Sequence, residues 1–296
     1  MLGRTNILVF GAGGQLGSEL VGRATSKHLT FHFVRRADAY IDDPIAVRRA
    51  MELSRPSLVI NAAAYTNVDQ AEIEREAAFR GNAEGPKVLA AACAPGNIPL
   101  IHISTHYVFD GRKRTPYLET DETCPINVYG ESKLAGEIAV KELAGRVLIL
   151  RTCWMFGAYR NNFLKTILRL AAERDVLHVV ADQHGNPTAT ADVADAILEI
   201  APRLIAGEPI TGTYHLAGFN AATWYDFAQE IVWAAASYTG RNPEVVPITT
   251  EDYPSGAARP TNSELDSAKL ALAVGFRAAN WRQRVRETLA ILLGRA

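Results

Sequence analysis

The stretch that decides the fold is "NILVFGAGGQLGSELVGRA", residues 6–24. Its first five residues are a continuous apolar run, which is typical of a strand covered on both faces. Gly11, Gly14 and Gly17 separate this strand from a segment that predicts a helix. In such a unit the first glycine permits a tight turn, the second lets the backbone approach a bound group, and the third lets helix and strand pack closely.

The same alternation of strand and helix continues through the first half of the chain. Further strands are predicted at 29–34, 57–64, 98–105 and 146–152, and helices at 43–54, 69–93 and 132–143. Alternation of this kind implies right-handed crossovers and a parallel sheet. We therefore predict an α/β fold with a doubly wound (Rossmann-type) parallel sheet.

The rhythm weakens after residue 152. Helices are predicted at 161–174, 193–205, 223–237 and 281–294, a strand at 212–218, and a loop over 242–266, which is rich in Pro, Ser and Thr. We expect a dinucleotide-binding domain over 1–152 and a smaller, mainly substrate-binding domain over 153–296, with segments that could return to the first domain.

Composition narrows the class of protein. The 296 residues carry a net charge of −1 without a long run of one sign, which argues against nucleic acid or an anionic membrane as the main partner. Apolar runs stay below the roughly 18 residues that span a bilayer. The three cysteines, Cys93, Cys124 and Cys153, are odd in number and widely spaced, as expected in a reducing compartment. Met1 leads straight into the first strand without a cleavable signal, so we expect a cytoplasmic protein.

The glycine turn favours a dinucleotide cofactor, although glycines also occur in ordinary strand–helix turns. Its place after the first strand of an alternating chain strengthens the interpretation. Arg35 and Arg36 end the second strand. Two guanidinium groups suit a 2′-phosphate, which favours NADPH, whereas a pair of solvated arginines is the alternative. Asp38 lies close enough to keep NADH open, since an acidic residue there binds the ribose hydroxyl of NAD.

A second motif, "NVYGESKLAGE" at 127–137, places Tyr129 and Lys133 four residues apart. On a helix this spacing puts both on one face. An ammonium about 5 Å away, at an effective dielectric of ~20, favours the ionised phenol by roughly 3 kcal/mol, or about two pKa units. The phenol then becomes a competent acid for a carbonyl oxygen. An exposed Tyr–Lys contact at a helix start is the plainer alternative.

The segment "HISTHYVFDG", 102–111, places Ser104 and Thr105 at the end of the fourth strand. Ligands of doubly wound folds lie outside the carboxyl ends of the strands. Thr105 is therefore expected to bind a substrate carbonyl and to orient it toward the phenol. The ordered set of glycine turn, Ser-Thr and Tyr-x-x-x-Lys is more specific than any of its parts.

These motifs resemble the extended short-chain dehydrogenase/reductases and, within them, the dTDP-4-dehydrorhamnose reductase family. The resemblance runs nearly end to end, through segments such as "VINAAAYTNVDQAE", "RTCWMFG", "DQHGNPT" and "RPTNSELD". It implies NADPH-dependent reduction of a nucleotide-linked 4-keto-6-deoxyhexose.

Matching positions carry the family's roles onto this chain. The catalytic set implied is Thr105, Tyr129 and Lys133. The cofactor-binding set includes the glycines and arginines described above. Its members are Gly11, Gly14, Gln15, Leu16, Gly17, Arg35, Arg36, Ala64, Tyr65, Thr66 and Asn82. The substrate-binding set implied is His106, Trp154 and Arg259. From the residues alone, Trp154 could equally be core, and Arg259 a solvated loop charge.

Two positions depart from the family pattern. His106 stands where the family usually carries Asp, so an acid is replaced by a group that could charge near pH 6.5 or donate to a hydroxyl or phosphate. This leaves the exact sugar open. Tyr40 stands where we align another acidic residue of the family, followed by Asp42 and Asp43. The sequence shows no clear acidic cluster for the metal-bridged dimer of some relatives, so we expect no metal and either a monomer or a homodimer.

The predicted reaction is reduction of dTDP-4-dehydrorhamnose to dTDP-rhamnose. Three alternatives stay open: a different 4-keto sugar nucleotide, sugar-nucleotide dehydration or epimerisation, and a non-catalytic NADP-binding subunit resembling the beta subunit of methionine adenosyltransferase. Dehydration is disfavoured because Thr105-His106-Tyr107 lacks the two carboxylates that such enzymes usually carry.

Overall fold

The computed structural model describes residues 5–24 and 29–294. The strands are β1 Thr5–Phe10, β2 Leu29–Val34, β3 Leu58–Asn61, β4 Leu100–Thr105, β5 Val147–Thr152, β6 Met155–Phe156, β7 Val176–Val180, β8 His184–Gly185, β9 Thr188–Ala189, β10 Gly212–Leu216, β11 Ala222–Thr223 and β12 Glu244–Ile248. The helices are α1 Gln15–Arg23, α2 Pro44–Ser54, α3 Val68–Ile73, α4 Arg75–Phe79, α5 Gly85–Cys93, α6 Val128–Leu143, α7 Phe163–Glu173, α8 Thr190–Ile205, α9 Trp224–Thr239, α10 Ala268–Val274 and α11 Trp281–Leu293.

Six parallel strands form the central sheet, in the order β2–β1–β3–β4–β5–β10. The chain moves outward to β2 and then crosses back to β3, so the direction of winding reverses between β1 and β3. Parallel strands place all their carboxyl ends on one edge, and ligands bind at such a reversal point. The predicted fold class is confirmed.

The glycine turn after β1 has the backbone its residues predict. Gly11 has φ +87°, and a β-carbon built on it would lie 2.4 Å from the Ala63 nitrogen. A β-carbon on Gly17 would lie 2.1 Å from the Gly11 oxygen. Real side chains cannot occupy such space, so these two glycines let β1, β3 and α1 meet closely.

Helices cover both faces of the sheet. Apolar residues of β1, β3, β4 and β5 pack on α1, α8 and α10 on one face. On the other face the sheet packs on α2, α5 and α6. A separate core joins α7, α9 and α11. Thus β10, from the C-terminal half, joins the central sheet, and α8 packs on it. The proposed domain boundary at residue 152 stays a prediction.

Several elements differ from the sequence expectations. The segment 69–93 is divided into α3, α4, a π-helical turn at Arg80–Glu84, and α5. The expectation of a loop over 242–266 was wrong at its start, because β12 pairs in parallel with β7. Helix α6 begins at Val128, four residues before the predicted start, because Asn127 caps it by accepting from the Gly130 N–H.

Among the described residues, we find no helix with both the length and the apolar character needed to cross a membrane. The expectation about the start of the chain concerns residues 1–4, which lie outside the described residues.

Candidate active site

A cleft of about 1070 Å³ lies at the carboxyl edge of the sheet. The cleft is lined by the β1–α1 turn, by the ends of β2, β3 and β4 and by α6, and Trp154 and Trp224 come from the C-terminal half. Pockets for a single small ligand span roughly 300–1,000 Å³. The cleft is therefore at the upper end of the range for ligand pockets.

One side of the cleft is built from the turn after β1, the end of β2 and the loop after β3. We call it the glycine wall; its residues from the predicted set are Gly11, Gly14, Gln15, Leu16, Arg35, Arg36, Ala64, Tyr65 and Thr66. The turn closes through a 2.9 Å bond from the Gly14 N–H to the Gly11 oxygen. Among the side chains that the structure describes, none caps the start of α1. Its first N–H groups remain available to an anion, as phosphate-binding turns require.

The end of β2 favours a 2′-phosphate over a bare ribose. The Asp38 carboxylate accepts a 2.9 Å bond from the Arg35 N–H and so closes the local turn. Arg35 and Arg36 are exposed and line the cleft. The Arg36 guanidinium lies 5.3 Å from the ring of Tyr40, which also lines the cleft. The Asp38 carboxylate is thus engaged by the backbone, whereas Arg35 and Arg36 line the cleft.

Asn82 and Gly17 belong to the predicted cofactor set but do not line the cleft. Asn82 is fully buried. Its side chain accepts from the Tyr65 backbone N–H at 2.8 Å and donates to the Tyr65 backbone carbonyl at 2.9 Å. It also donates to the Ser132 hydroxyl at 3.0 Å. Asn82 therefore holds the loop after β3 against α6, and its direct contact with a cofactor stays a prediction.

The opposite side of the cleft is made by the end of β4 and by α6. We call it the catalytic wall; its residues are Thr105, His106, Tyr129 and Lys133, with Ser104 beside them. Lys133 is 2% exposed, and its ammonium donates a 2.7 Å bond to the Ile103 oxygen. Burial lowers the pKa of Lys133 from 10.5 to about 8, although the charge of Glu137 opposes that shift.

The phenol of Tyr129 lies beside the Thr105 hydroxyl. Burial raises the pKa of Tyr129, and a hydrogen bond from Thr105 lowers it only in part. The expectation that Lys133 by itself lowers the pKa of Tyr129 was wrong, because desolvation dominates and the ammonium is engaged by a carbonyl. The chain alone keeps the phenol protonated, which is the form that a general acid needs.

A buried ion pair supports the catalytic wall from behind, and the sequence analysis missed it. Arg151 donates to Glu137 through two bonds of 2.8 and 2.7 Å, and Ser104 donates to the same carboxylate at 2.6 Å. Both charged side chains are at most 3% exposed. Two signals were available: Arg151 near the end of the apolar strand "VLILRT", and Glu137 one helical turn after Lys133.

His106 is buried and uncharged. Burial, together with the nearby charge of Arg259, lowers its pKa to about 3, although the hydrogen bond to the Thr152 backbone opposes that shift. Its Nδ1 lies 3.4 Å from the Thr152 carbonyl oxygen. Its Nε2 is buried without a hydrogen-bond partner among the described residues. The expectation of a charge near pH 6.5 was therefore wrong. Nδ1–H faces a carbonyl, which leaves Nε2 as an acceptor.

Trp154 presents an aromatic face from the C-terminal half. It has φ +42°, a strained value for a large side chain, and stacks on Trp224 at 3.6 Å between ring centroids. A β-carbon on Gly185 would touch the Trp154 ring at 2.6 Å, so the ring is held on both sides. The sequence analysis missed Trp224, which lines the cleft from the first turn of α9. Strain at a cleft-lining residue is characteristic of functional sites.

Arg259 does not line the cleft. It forms a 2.7 Å ion pair with Asp69 and lies 6.0 Å from the ring of Tyr107. Its Nη1 is buried without a partner among the described residues. Its role in substrate binding stays a prediction.

The sheet order, the glycine turn at its reversal point and the Thr–Tyr–Lys arrangement on the facing wall define the class. This is an NAD(P)-dependent oxidoreductase of the extended short-chain dehydrogenase/reductase type. The family model described as RmlD substrate binding domain matches residues 5–293. The chain belongs to the dTDP-4-dehydrorhamnose reductase family.

Individual relatives agree over nearly the whole chain. The dTDP-4-dehydrorhamnose reductase of Aggregatibacter actinomycetemcomitans is 43% identical, over 95% of this chain and 97% of its own. The crystal structure of a Clostridium acetobutylicum dTDP-4-dehydrorhamnose reductase has TM-score 0.90 and 38% identity, over 97% of this chain and 99% of that one. The Bacillus anthracis enzyme, solved in complex with NADP, has TM-score 0.90 and 35% identity, over 98% and 100%.

Proposed function

We propose that this protein uses NADPH to reduce the 4-keto group of dTDP-4-dehydrorhamnose, giving dTDP-rhamnose. One observation carries the proposal: Thr105, Tyr129 and Lys133 line the same cleft as the glycine turn, with the Thr105 hydroxyl beside the Tyr129 phenol. Names of full-length relatives at about 40% identity support the choice of sugar nucleotide.

The residues present fit NADPH. The glycine wall offers uncapped N–H groups for a pyrophosphate, and Arg35 and Arg36 offer two guanidinium groups for a 2′-phosphate. When bound, the cofactor supplies the hydride. Lys133 lies buried at the floor of the cleft, where its ammonium can hold a ribose hydroxyl as well as the Ile103 oxygen.

The chain's own part in the reaction is proton delivery and orientation. Thr105 is placed to donate to the substrate carbonyl oxygen. Tyr129 is placed to give its proton to the same oxygen as the hydride adds to C4, so the carbonyl becomes a hydroxyl and the phenol becomes a phenolate. Solvent then returns the proton to Tyr129.

The carboxylates of the cleft favour reduction over dehydration. Among the described residues that line it, Asp42 and Glu74 are the acidic ones. Asp42 is paired with Arg80 at 2.7 Å, and Glu74 accepts from the Tyr65 hydroxyl at 2.9 Å. Neither lies beside Thr105 in sequence, where dehydratases usually carry their acid and base. His106, which takes that position, is uncharged.

The test is a panel of nucleotide-linked 4-keto-6-deoxyhexoses mixed with the protein and NADPH. The expected result is loss of reduced-cofactor absorbance with the dTDP-linked sugar, with the configuration of the product determined by NMR. The tyrosine variant Tyr129→Phe is the negative control. Turnover of a UDP- or GDP-linked sugar in preference would instead make this a reductase for another 4-keto sugar nucleotide.

Absence of turnover with every sugar, combined with tight NADP binding and co-purification with a methionine adenosyltransferase, would favour the non-catalytic alternative. Turnover that proceeds without added NADPH would favour epimerisation. The proposal also includes a cytoplasmic protein that acts as a monomer or homodimer, which size-exclusion chromatography with light scattering would examine.

A further inference from the structure

The loop between β6 and α7, residues 157–162, belongs to the C-terminal half but reaches the glycine turn. Arg160 and Asn162 both line the cleft. A β-carbon built on Gly13 would lie 3.7 Å from Arg160 Nη2 and 4.0 Å from Arg35 Cγ. A guanidinium from a distant part of the chain is thus positioned over the turn where a pyrophosphate binds.

The loop is tied to the glycine turn by its own side chains. The Asn162 amide donates to Gln15 Oε1 at 2.8 Å and to the Gly157 oxygen at 2.8 Å. The second bond closes the loop on itself, and the first docks it on α1. The Gln15 side chain is thus used for docking the loop.

Arg160 itself is held in a costly backbone conformation. Its φ is +57°, in the left-handed region that non-glycine residues avoid. Within residues 5–24 and 29–294 its guanidinium forms neither an ion pair nor a side-chain hydrogen bond. A strained residue that aims an unpaired cation into a cleft is typical of ligand binding, since nothing in the fold itself rewards the strain.

We propose that Arg160 binds the pyrophosphate of the dinucleotide from the side opposite the α1 N-terminus. This rests on the proposed function, because it takes the glycine turn as the cofactor site. The pyrophosphate is then clamped between backbone N–H groups of the N-terminal half and a guanidinium of the C-terminal half. Arg35 and Arg36 remain the 2′-phosphate residues, so the two roles make separable predictions.

The experiment compares dissociation constants for NADPH and NADH by fluorescence titration at fixed, low ionic strength. Arg160→Gly is the main variant, because glycine accepts the left-handed conformation while it removes the guanidinium. Arg160→Lys keeps the charge without the fork. Arg36→Ala reports on the 2′-phosphate, and Arg169→Ala removes an arginine exposed on α7 and paired with Glu173.

Arg160→Gly is expected to raise the dissociation constants for NADPH and NADH by the same factor, about tenfold, as for loss of a charge-assisted hydrogen bond. Arg160→Lys should lose less affinity for both cofactors. Arg36→Ala should weaken the binding of NADPH alone, and Arg169→Ala should leave the binding of both cofactors unchanged. The unfolding temperature of Arg160→Gly without ligand should equal or exceed that of the parent protein, which separates lost binding from lost folding.

Unchanged binding of both cofactors by Arg160→Gly would overturn the proposal, and so would weakening confined to NADPH. If the unmodified protein bound neither cofactor, the proposed function itself would fail instead. The two failures are thus distinguishable in the same titrations.

Discussion

The two walls of the cleft solve different physical problems. The glycine wall offers backbone N–H groups and exposed arginines, so its charges stay in contact with water. The catalytic wall buries Tyr129, Lys133, Glu137 and Arg151 almost completely. Exposed charges interact weakly and are screened by salt, whereas buried ones interact strongly and shift each other's pKa.

The difference teaches where mutations should matter. Each contact on the glycine wall is one of several to the same ligand, so single changes there should reduce affinity modestly. On the catalytic wall one proton donor has no substitute, and an unpaired buried charge has no solvent to stabilise it. The predictions below examine that contrast, starting with the largest effect.

Tyr129→Phe should lower kcat about a thousandfold, because general acid catalysis typically contributes 10²–10⁴. Affinity for NADPH should change little, since the glycine wall is untouched. Steady-state kinetics and a fluorescence titration give the two quantities. Tyr107→Phe is the matched control: its ring packs edge-to-face on Tyr129 at 5.3 Å, but it is not the proposed acid. An equal loss in both variants would contradict the assignment.

Glu137→Gln should lower the free energy of unfolding by about 3 kcal/mol, because it leaves the Arg151 guanidinium buried without its counter-charge. Urea unfolding measures the change. The control is Glu173→Gln, which breaks the exposed Arg169–Glu173 pair on α7 and should cost well under 1 kcal/mol. Similar losses in the two variants would show that burial does not distinguish these pairs.

Lys133 should make stability depend on pH in a defined window. Its pKa is about 8 when folded, against an ordinary 10.5, so the unfolded chain holds more protons between those values. Stability relative to Lys133→Met should therefore be constant below pH 8 and rise above it. The gain should reach about 2 kcal/mol by pH ~9.5, at 1.4 kcal/mol per unit. Parallel stability curves in urea would refute the buried charge.

His106→Asn should raise KM for the sugar nucleotide about fivefold, the value of one neutral hydrogen bond, and should leave kcat nearly unchanged. With a pKa of about 3, His106 should add no titration to KM between pH 5.5 and 8. The exposed His178→Asn serves as control. A step in the parent enzyme's KM near pH 6.5 that His106→Asn removes would mean that His106 does become charged.

The sequence predicted those parts of the fold that depend on residues close to one another along the chain. The apolar runs predicted the strands of the sheet, and strand β2 was predicted with its observed bounds, 29–34. Asp43 caps α2 by accepting from the Ile45 and Ala46 N–H groups, a contact between neighbours in sequence. Strand β12 was missed because a half-exposed strand at the edge of a small sheet carries only a weak apolar pattern.

The candidate site divides in the same way. Residues 11–17 and the pair Tyr129 and Lys133 were predicted, because a turn conformation and a helical offset are properties of short segments. The ordered motifs also determined the family. Only the tertiary structure decided the charge states. Burial keeps His106 uncharged and raises the pKa of Tyr129, and packing pairs Glu137 with Arg151. It also brought Arg160 over Gly13 from far along the chain. Desolvation and long-range contacts depend on what packs around a group, and no short stretch of sequence carries that information.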